Sequence, residues 1–157
     1  MTSAGREGPL EWLKADLAAA QANAGVSSIF VLGHKPIVAP AGGTGADAAI
    51  NPALVAGLEA LLDGTAKVKG YFCAHAHQWD ARKLPGARGV YQIVAGNGGS
   101  PLEAGWSVAS PYYGFTEARV YSSGRVGVVS HQRPVPTPDY ATSTMAATPV
   151  AELTIAP

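Results

Sequence analysis

Apolar residues recur along this chain at two different periods. In PLEWLKADLAAAQANAG, Leu10, Leu13, Leu17 and Ala20 fall at helical spacing, Pro9 suits a first turn and Gly25 a stop, so the pattern predicts an amphipathic helix. NPALVAGLEALLDG predicts a second helix, with Asn51 as N-cap, Pro52 in the first position and Asp63-Gly64 at the exit. Between them SSIFVLG is a short apolar run closed by glycine, the signature of a buried strand. KVKGYFCAH and GVYQIVAGNGG read as two more strands, and GFTEARVYSSGRVGVVSHQR as a pair joined at SSGR in a β-hairpin. Helix, strand, helix, strand, strand, hairpin is the order of an α/β layered fold, its first two strands parallel through the intervening helix. From Pro134 the composition turns to Pro, Thr, Ala and Ser with almost no charge, which predicts a loosely held tail over 134–157 behind a domain of 1–133.

Composition narrows the function classes. A chain of 157 residues with 47% hydrophobic content has material for one domain with a real core. Eleven basic and eleven acidic residues cancel, so no global field draws the protein to nucleic acid or to an acidic membrane. No apolar run approaches the roughly 18 residues of a membrane span, and the start MTSAGREGPLEW has no apolar segment that could act as a signal peptide, which leaves the compartment unknown. The single cysteine, Cys73, excludes an internal disulfide and a multi-cysteine zinc cage; it reads as a small buried hydrophobe.

The candidate chemistry lies in the histidines, of which there are four. His34 follows the first strand in VLGHKP, and His75 and His77 follow the second in GYFCAHAHQWD. Strand ends in α/β sheets are where such folds place their sites, so three imidazoles converge on one rim. Neutral imidazole is the commonest nitrogen ligand for zinc, iron and similar ions. Residues two apart on a strand point the same way, roughly 6.5–7 Å apart, a spacing that suits one ion or a close pair of ions. His131 falls off this rim and reads as decoration on the last strand.

FVLGHKPIV, GYFCAHAHQWD, YQIVAGNGGSPL and YYGFTEARV, in that order, resemble the C-terminal half of calcineurin-like metallophosphoesterases, particularly those akin to purple acid phosphatases. The resemblance covers roughly residues 9–130. It implies a partial metallophosphoesterase-type αββα sandwich, a mixed sheet with flanking helices, and a dinuclear centre of iron, zinc or manganese. Within that centre His34 and His75 would bind one metal and His77 the other. The implied activity is metal-dependent hydrolysis of phosphate esters, with the substrate selected by loops such as APAGGTGADAAINP and GSPLEAGWSVASPYYG. Trp79, Trp106, Tyr112 and Tyr113 would either line a cleft there or pack.

Two departures qualify what the resemblance implies. Ala74 stands where the family has glycine before the first histidine of the pair, which is tolerable only at negative φ. The family's Asp-x-His, Gly-Asp and Gly-Asn-His segments, which supply its carboxylates, do not occur in this sequence. GNGG around Asn97 matches a later glycine turn of the family instead. Asp80 and Asp47 are the local acids that could substitute, although loop aspartates are usually solvated turn formers. The expectation is at most one weakly held ion bound by His34, His75 and His77 with water. Three readings follow: a phosphoesterase domain whose carboxylates come from elsewhere, an inactive truncated or degenerate module that binds a metal weakly or a partner, and an unrelated α/β protein with structural histidines. A half-sandwich would leave sheet surface bare, predicting self-association or marginal stability.

Overall fold

The periodic face of the first helix is the face that is buried. In the computed structural model, which describes residues 8–40, 48–103, 112–133 and 148–155, helix α1 spans Gly8–Ala22 and buries Leu17 to 2% exposure, with Leu10 and Leu13 half-buried beside it. Helix α2, Pro52–Gly64, starts as its sequence requires: the Asn51 side chain accepts from the Ala53 N–H at 3.0 Å and Pro52 occupies the first turn. Leu58 and Leu62 of α2 join Leu17 over one face of a sheet, where they meet Val31, Tyr71, Cys73 and Val94. Each of these leucine burials contributes about 2 kcal/mol.

That sheet has four strands in the order β1 (Ile29–Leu32), β2 (Val68–Cys73), β4 (Tyr91–Ala95) and β3 (Trp79–Lys83). The first three run parallel and β3 runs antiparallel to β4. A second, antiparallel sheet of β5 (Tyr113–Val120), β6 (Val126–Arg133) and β7 (Thr148–Ile155) covers its other face. Ile93, Val126 and Val128 form the seam between the sheets, flanked by Phe30, Phe72, Tyr91, Leu153 and Ile155. The architecture is α/β, a helix layer on two stacked sheets, which makes three of the four layers of the expected αββα sandwich among the described residues.

Two strands depart from the sequence reading. WDARK, which mixes one aromatic with charged residues, is assigned to no element by its pattern, yet it pairs along its length with β4 as an edge strand. Residues 134–157 read as a loose tail, and this is corrected for part of that stretch: Thr148–Ile155 is a full strand paired to β6, because TPVAELTI carries enough alternating apolar residues to seat Leu153 and Ile155 on the seam. Residues 134–147 lie outside the described residues. The hairpin at SSGR forms as expected, Gly124 taking a φ of +82° in its turn. No helix among the described residues is long and apolar enough to cross a membrane.

The connection from β2 to β3 positions the site. Its two strands are not neighbours, because β4 lies between them. Residues 74–78 therefore pass over the carboxyl end of β4, and Gly96 meets them there: its N–H donates to the Gln78 carbonyl at 3.0 Å, and a Cβ on it would collide with the Ala76 carbonyl. The obstacle is backbone on both sides and cannot swing away. Replacing Gly96 with Ala should destabilise the protein by about 2–3 kcal/mol. Urea unfolding with an unchanged m-value checks this, and a midpoint within error of wild type would refute the crossing geometry.

Candidate metal centre

The parallel ladder continues past the ends of β1 and β2. Gly33 N–H donates to the Phe72 carbonyl at 2.9 Å, and Ala74 N–H donates to the His34 carbonyl at 3.0 Å. These two bonds bring the backbone of His34 beside that of Ala74 and so beside His75. Gly33 must lack a side chain, because its Cβ position is taken by the Tyr71 ring and hydroxyl. Tyr71 in turn donates to the Lys35 carbonyl at 2.8 Å. Burial, with the nearby Cys73 adding to it, pushes the Tyr71 phenol up to about 12, so it remains a donor at neutral pH.

Beyond His34 the loop is held from beneath by Gln92 of β4. Its Oε1 accepts from the Ile37 and Val38 N–H groups at 2.7 and 3.0 Å, and its Nε2 donates to the Val38 carbonyl at 2.8 Å. Gln92 is fully buried, so this amide serves the loop and nothing else.

The histidine pair does not sit on a strand. β2 ends at Cys73, and two successive i→i+2 hydrogen bonds follow: Ala76 N–H to the Ala74 carbonyl at 2.7 Å and Gln78 N–H to the Ala76 carbonyl at 2.8 Å. His75 and His77 are therefore the central residues of two consecutive γ-turns. His75 has a φ of +60°, the rarer and strained hand of that turn, and is the one non-glycine residue at positive φ among the described residues. Ala74 is not at positive φ, so alanine in the family's glycine position is unstrained. Strain of about 1–3 kcal/mol at a histidine persists only when its surroundings over-determine it, and such residues cluster at functional sites.

The outcome is a pair of imidazoles. His75 Nδ1 lies 3.0 Å from His34 Nε2, with the rings edge to face at a centroid distance of 4.9 Å. The two nitrogens are at hydrogen-bond distance, which is also about the separation of two nitrogens each about 2.1 Å from one ion. Without a metal, one ring donates to the other. His77 is held elsewhere: its Nδ1 donates to the Pro101 carbonyl at 2.8 Å, and its own carbonyl accepts from the Glu103 N–H at 3.0 Å. That bond places a proton on Nδ1 and leaves Nε2 without a hydrogen-bond partner among the described residues. Among the described residues no group of three His, Cys, Asp or Glu side chains is arranged to hold an ion. Thus the structure joins His34 to His75 and leaves His77 apart.

Asp80 is occupied by Arg82, at 2.6 and 2.9 Å to its Nε and its terminal nitrogen; Asp47 and Trp106 lie outside the described residues. Asn97 is a buried structural residue whose side chain donates to the Tyr112 carbonyl at 3.1 Å, and whose own carbonyl accepts from Gly114, tying the glycine turn to the second sheet. Trp79 and Tyr112 pack together in a small core rather than lining a cleft. His131 stacks on Phe115 and meets Glu117 at 2.8 Å.

No protein-family model matches the sequence, and a search of the curated proteins finds no match. Among solved structures, the crystal structure of a dimetal phosphatase from Danio rerio superposes with a TM-score of 0.58 at 18% identity, covering 96% of this chain and 38% of that one. The fold is part of a dimetal-phosphatase fold. At this identity the likeness is one of fold, and this chain spans little more than a third of that structure's length.

Two expectations test this geometry. In Gly33→Ala the added methyl displaces the Tyr71 hydroxyl from the Lys35 carbonyl, which should cost about 1–3 kcal/mol and separate the His34 and His75 rings. Unfolding curves and imidazole NMR shifts report both effects, and an unperturbed pair would show that Gly33 does not set the loop. Cys73 is 5% exposed, and burial, with the charge of Asp80 second, pushes its thiol up to about 12. The native protein should therefore resist an aromatic disulfide reagent at pH 8 and react promptly once unfolded; fast native labelling would contradict the burial.

Proposed function

We propose that this chain is the histidine-bearing part of a calcineurin-like metallophosphoesterase, akin to the purple acid phosphatases, and serves metal-dependent hydrolysis of a phosphate monoester or diester. The observation that carries this reading is the His34–His75 pair, two ring nitrogens 3.0 Å apart at the carboxyl rim of parallel strands, one of them on strained backbone. A likeness of fold to a dimetal phosphatase supports it. In this reading His34 Nε2 and His75 Nδ1 hold one ion, and His77, oriented by Pro101, presents Nε2 to the same ion or to a second one.

A bound divalent or trivalent ion (zinc, manganese or iron) would supply Lewis acidity toward the phosphoryl oxygens and an activated water. The chain's own contribution is placement. Gln92 and Tyr71 hold the loop that carries His34, and the γ-turns hold the two histidines of the crossing segment. Neutral imidazoles leave the ion's charge undiminished for the substrate.

A second reading has its own support: no carboxylate joins the histidines among the described residues, and the sequence contains no Asp-x-His, Gly-Asp or Gly-Asn-His segment. By itself the chain is then a weak one-ion or partner-binding module. Edge strand β1, with Leu32 80% exposed, is the surface we expect to carry self-association in either case.

Elemental analysis after incubation with zinc, manganese or iron, paired with hydrolysis of an aryl phosphate and an aryl phosphodiester, separates the readings. The esterase reading expects bound metal and turnover, with His34→Ala and His75→Ala each weakening metal binding roughly tenfold or more and abolishing turnover. Bound metal without turnover supports the module. Absence of metal at any concentration would sink the esterase and one-ion readings and leave a partner-binding module or structural histidines.

A further inference from the structure

A second site stands at the other end of the same strands. The ladder between β1 and β2 pairs Ile29 with Val68 and then Phe30 with Gly70, so Lys69 is the extra residue of a β-bulge. Bulges re-aim side chains. Lys69 is only 9% exposed, yet it makes no ion pair or hydrogen bond among the described residues. The stem is covered while the ammonium group keeps contact with water, as a long amine usually does.

Lys69 lines a cavity of about 330 Å³ at the amino-terminal ends of β2 and β4. The cavity is also lined by Lys83, Arg88, Val68, Val90, Tyr91 and Ile155; among the described residues no carboxylate lines it, and the nearby Asp63 carboxylate accepts from the Ala87 and Arg88 N–H groups. Arg88 spends its terminal nitrogens on the carbonyls of Leu62, Asp63, Thr65, Ala66 and Val68, so it contributes charge and wall rather than a free donor. The Lys83 ammonium lies 5.5 Å from the centre of the Tyr91 ring. In a chain of zero net charge, three cations line one cavity, and with Asp63 on the Arg88 side the local positive field centres on Lys69 and Lys83.

We propose that this cavity binds a small organic phosphate with a flat apolar body. The dianionic head would sit between the Lys69 and Lys83 ammonium groups, and the body against Tyr91, Val68, Val90 and Ile155. A dianion fits because two free ammonium groups await it and each charge-assisted contact is stronger than a neutral one. An aromatic body fits because the volume exceeds that of a phosphate group alone and the remaining wall is apolar. This site is independent of the histidine pair, which follows the carboxyl end of β2, whereas Lys69 lies at its start.

Calorimetric titration of the full chain with phenylphosphonate, a non-hydrolysable aryl anion, tests the proposal, with inorganic phosphate as the headgroup control. Lys69→Met keeps the buried stem and removes the charge, so binding should weaken about tenfold or more while thermal stability holds or rises. Lys83→Gln, at an exposed position, should weaken binding severalfold with the melting temperature unchanged, and inorganic phosphate should bind less tightly than phenylphosphonate. His75→Ala should bind phenylphosphonate as wild type does. The proposal is overturned by absence of phenylphosphonate binding at millimolar concentration. It is equally overturned by wild-type affinity in Lys83→Gln, or by loss of binding in His75→Ala alone, which would place the anion on the histidines.

Discussion

The passage of residues 74–78 over the end of β4 is the constraint from which the rest of this rim follows. A segment of five residues must leave β2, clear a neighbouring strand and enter β3 at the same edge. It does so by folding twice on itself in γ-turns, and it can lie that close to β4 only because position 96 is glycine. The tight path forces His75 to positive φ, at a cost of about 1–3 kcal/mol. Helix burial on one face of the sheet and the second sheet on the other offset that cost, since several side chains there, among them Leu62, Ile93, Val126 and Val128, are fully buried. The strain is therefore localised where two imidazoles meet and is supported by packing some distance away.

Much of this was legible in the sequence, for identifiable reasons. Periodic leucines, an Asn-Pro start and apolar runs ending in glycine carry local instructions, and α1, α2, β1, β2, β4 and the hairpin obey them. The convergence of His34 and His75 was readable because parallel strands deliver their carboxyl ends to one side. What was not readable was the path between β2 and β3. An alternating His-Ala-His is equally consistent with an extended strand and with two γ-turns, and the strand rule of roughly 6.5–7 Å between the rings does not apply to the turns actually formed. Strand β3 was hidden because an edge strand need bury little, and β7 because proline, threonine and alanine dominate the composition around it.

Two positioning residues illustrate a further limit. Gln92 lies inside an apolar run, and nothing in the run shows that its amide will reach 54 and 55 residues back to hold the loop after His34. Gly33 reads as a strand terminator, whereas its role is to make room for Tyr71. Both are long-range pair relations, and a pair relation leaves no trace in the periodicity of either partner. Lys69 belongs to the same class: on pattern alone it is one charged residue at the start of a strand, and only the skipped register against β1 turns it inward.

The charge inventory of the rim decides how many ions these residues can serve. Two dications about 3.5–4 Å apart repel by something on the order of 15–20 kcal/mol at an effective dielectric near 20, and a bridging carboxylate is the usual means of offsetting it. The rim offers imidazoles, and Asp80, three residues after His77, already carries the two-pronged contact of Arg82. Freeing Asp80 would strip a half-buried guanidinium of its partner, so it is a poor reserve ligand. In the proposed reading, two neutral nitrogens 3.0 Å apart serve one ion and give no means of neutralising a second. A dinuclear reading of this rim therefore requires carboxylates from outside the described residues, and the chemistry attributed to the histidines stands or falls with where those carboxylates come from.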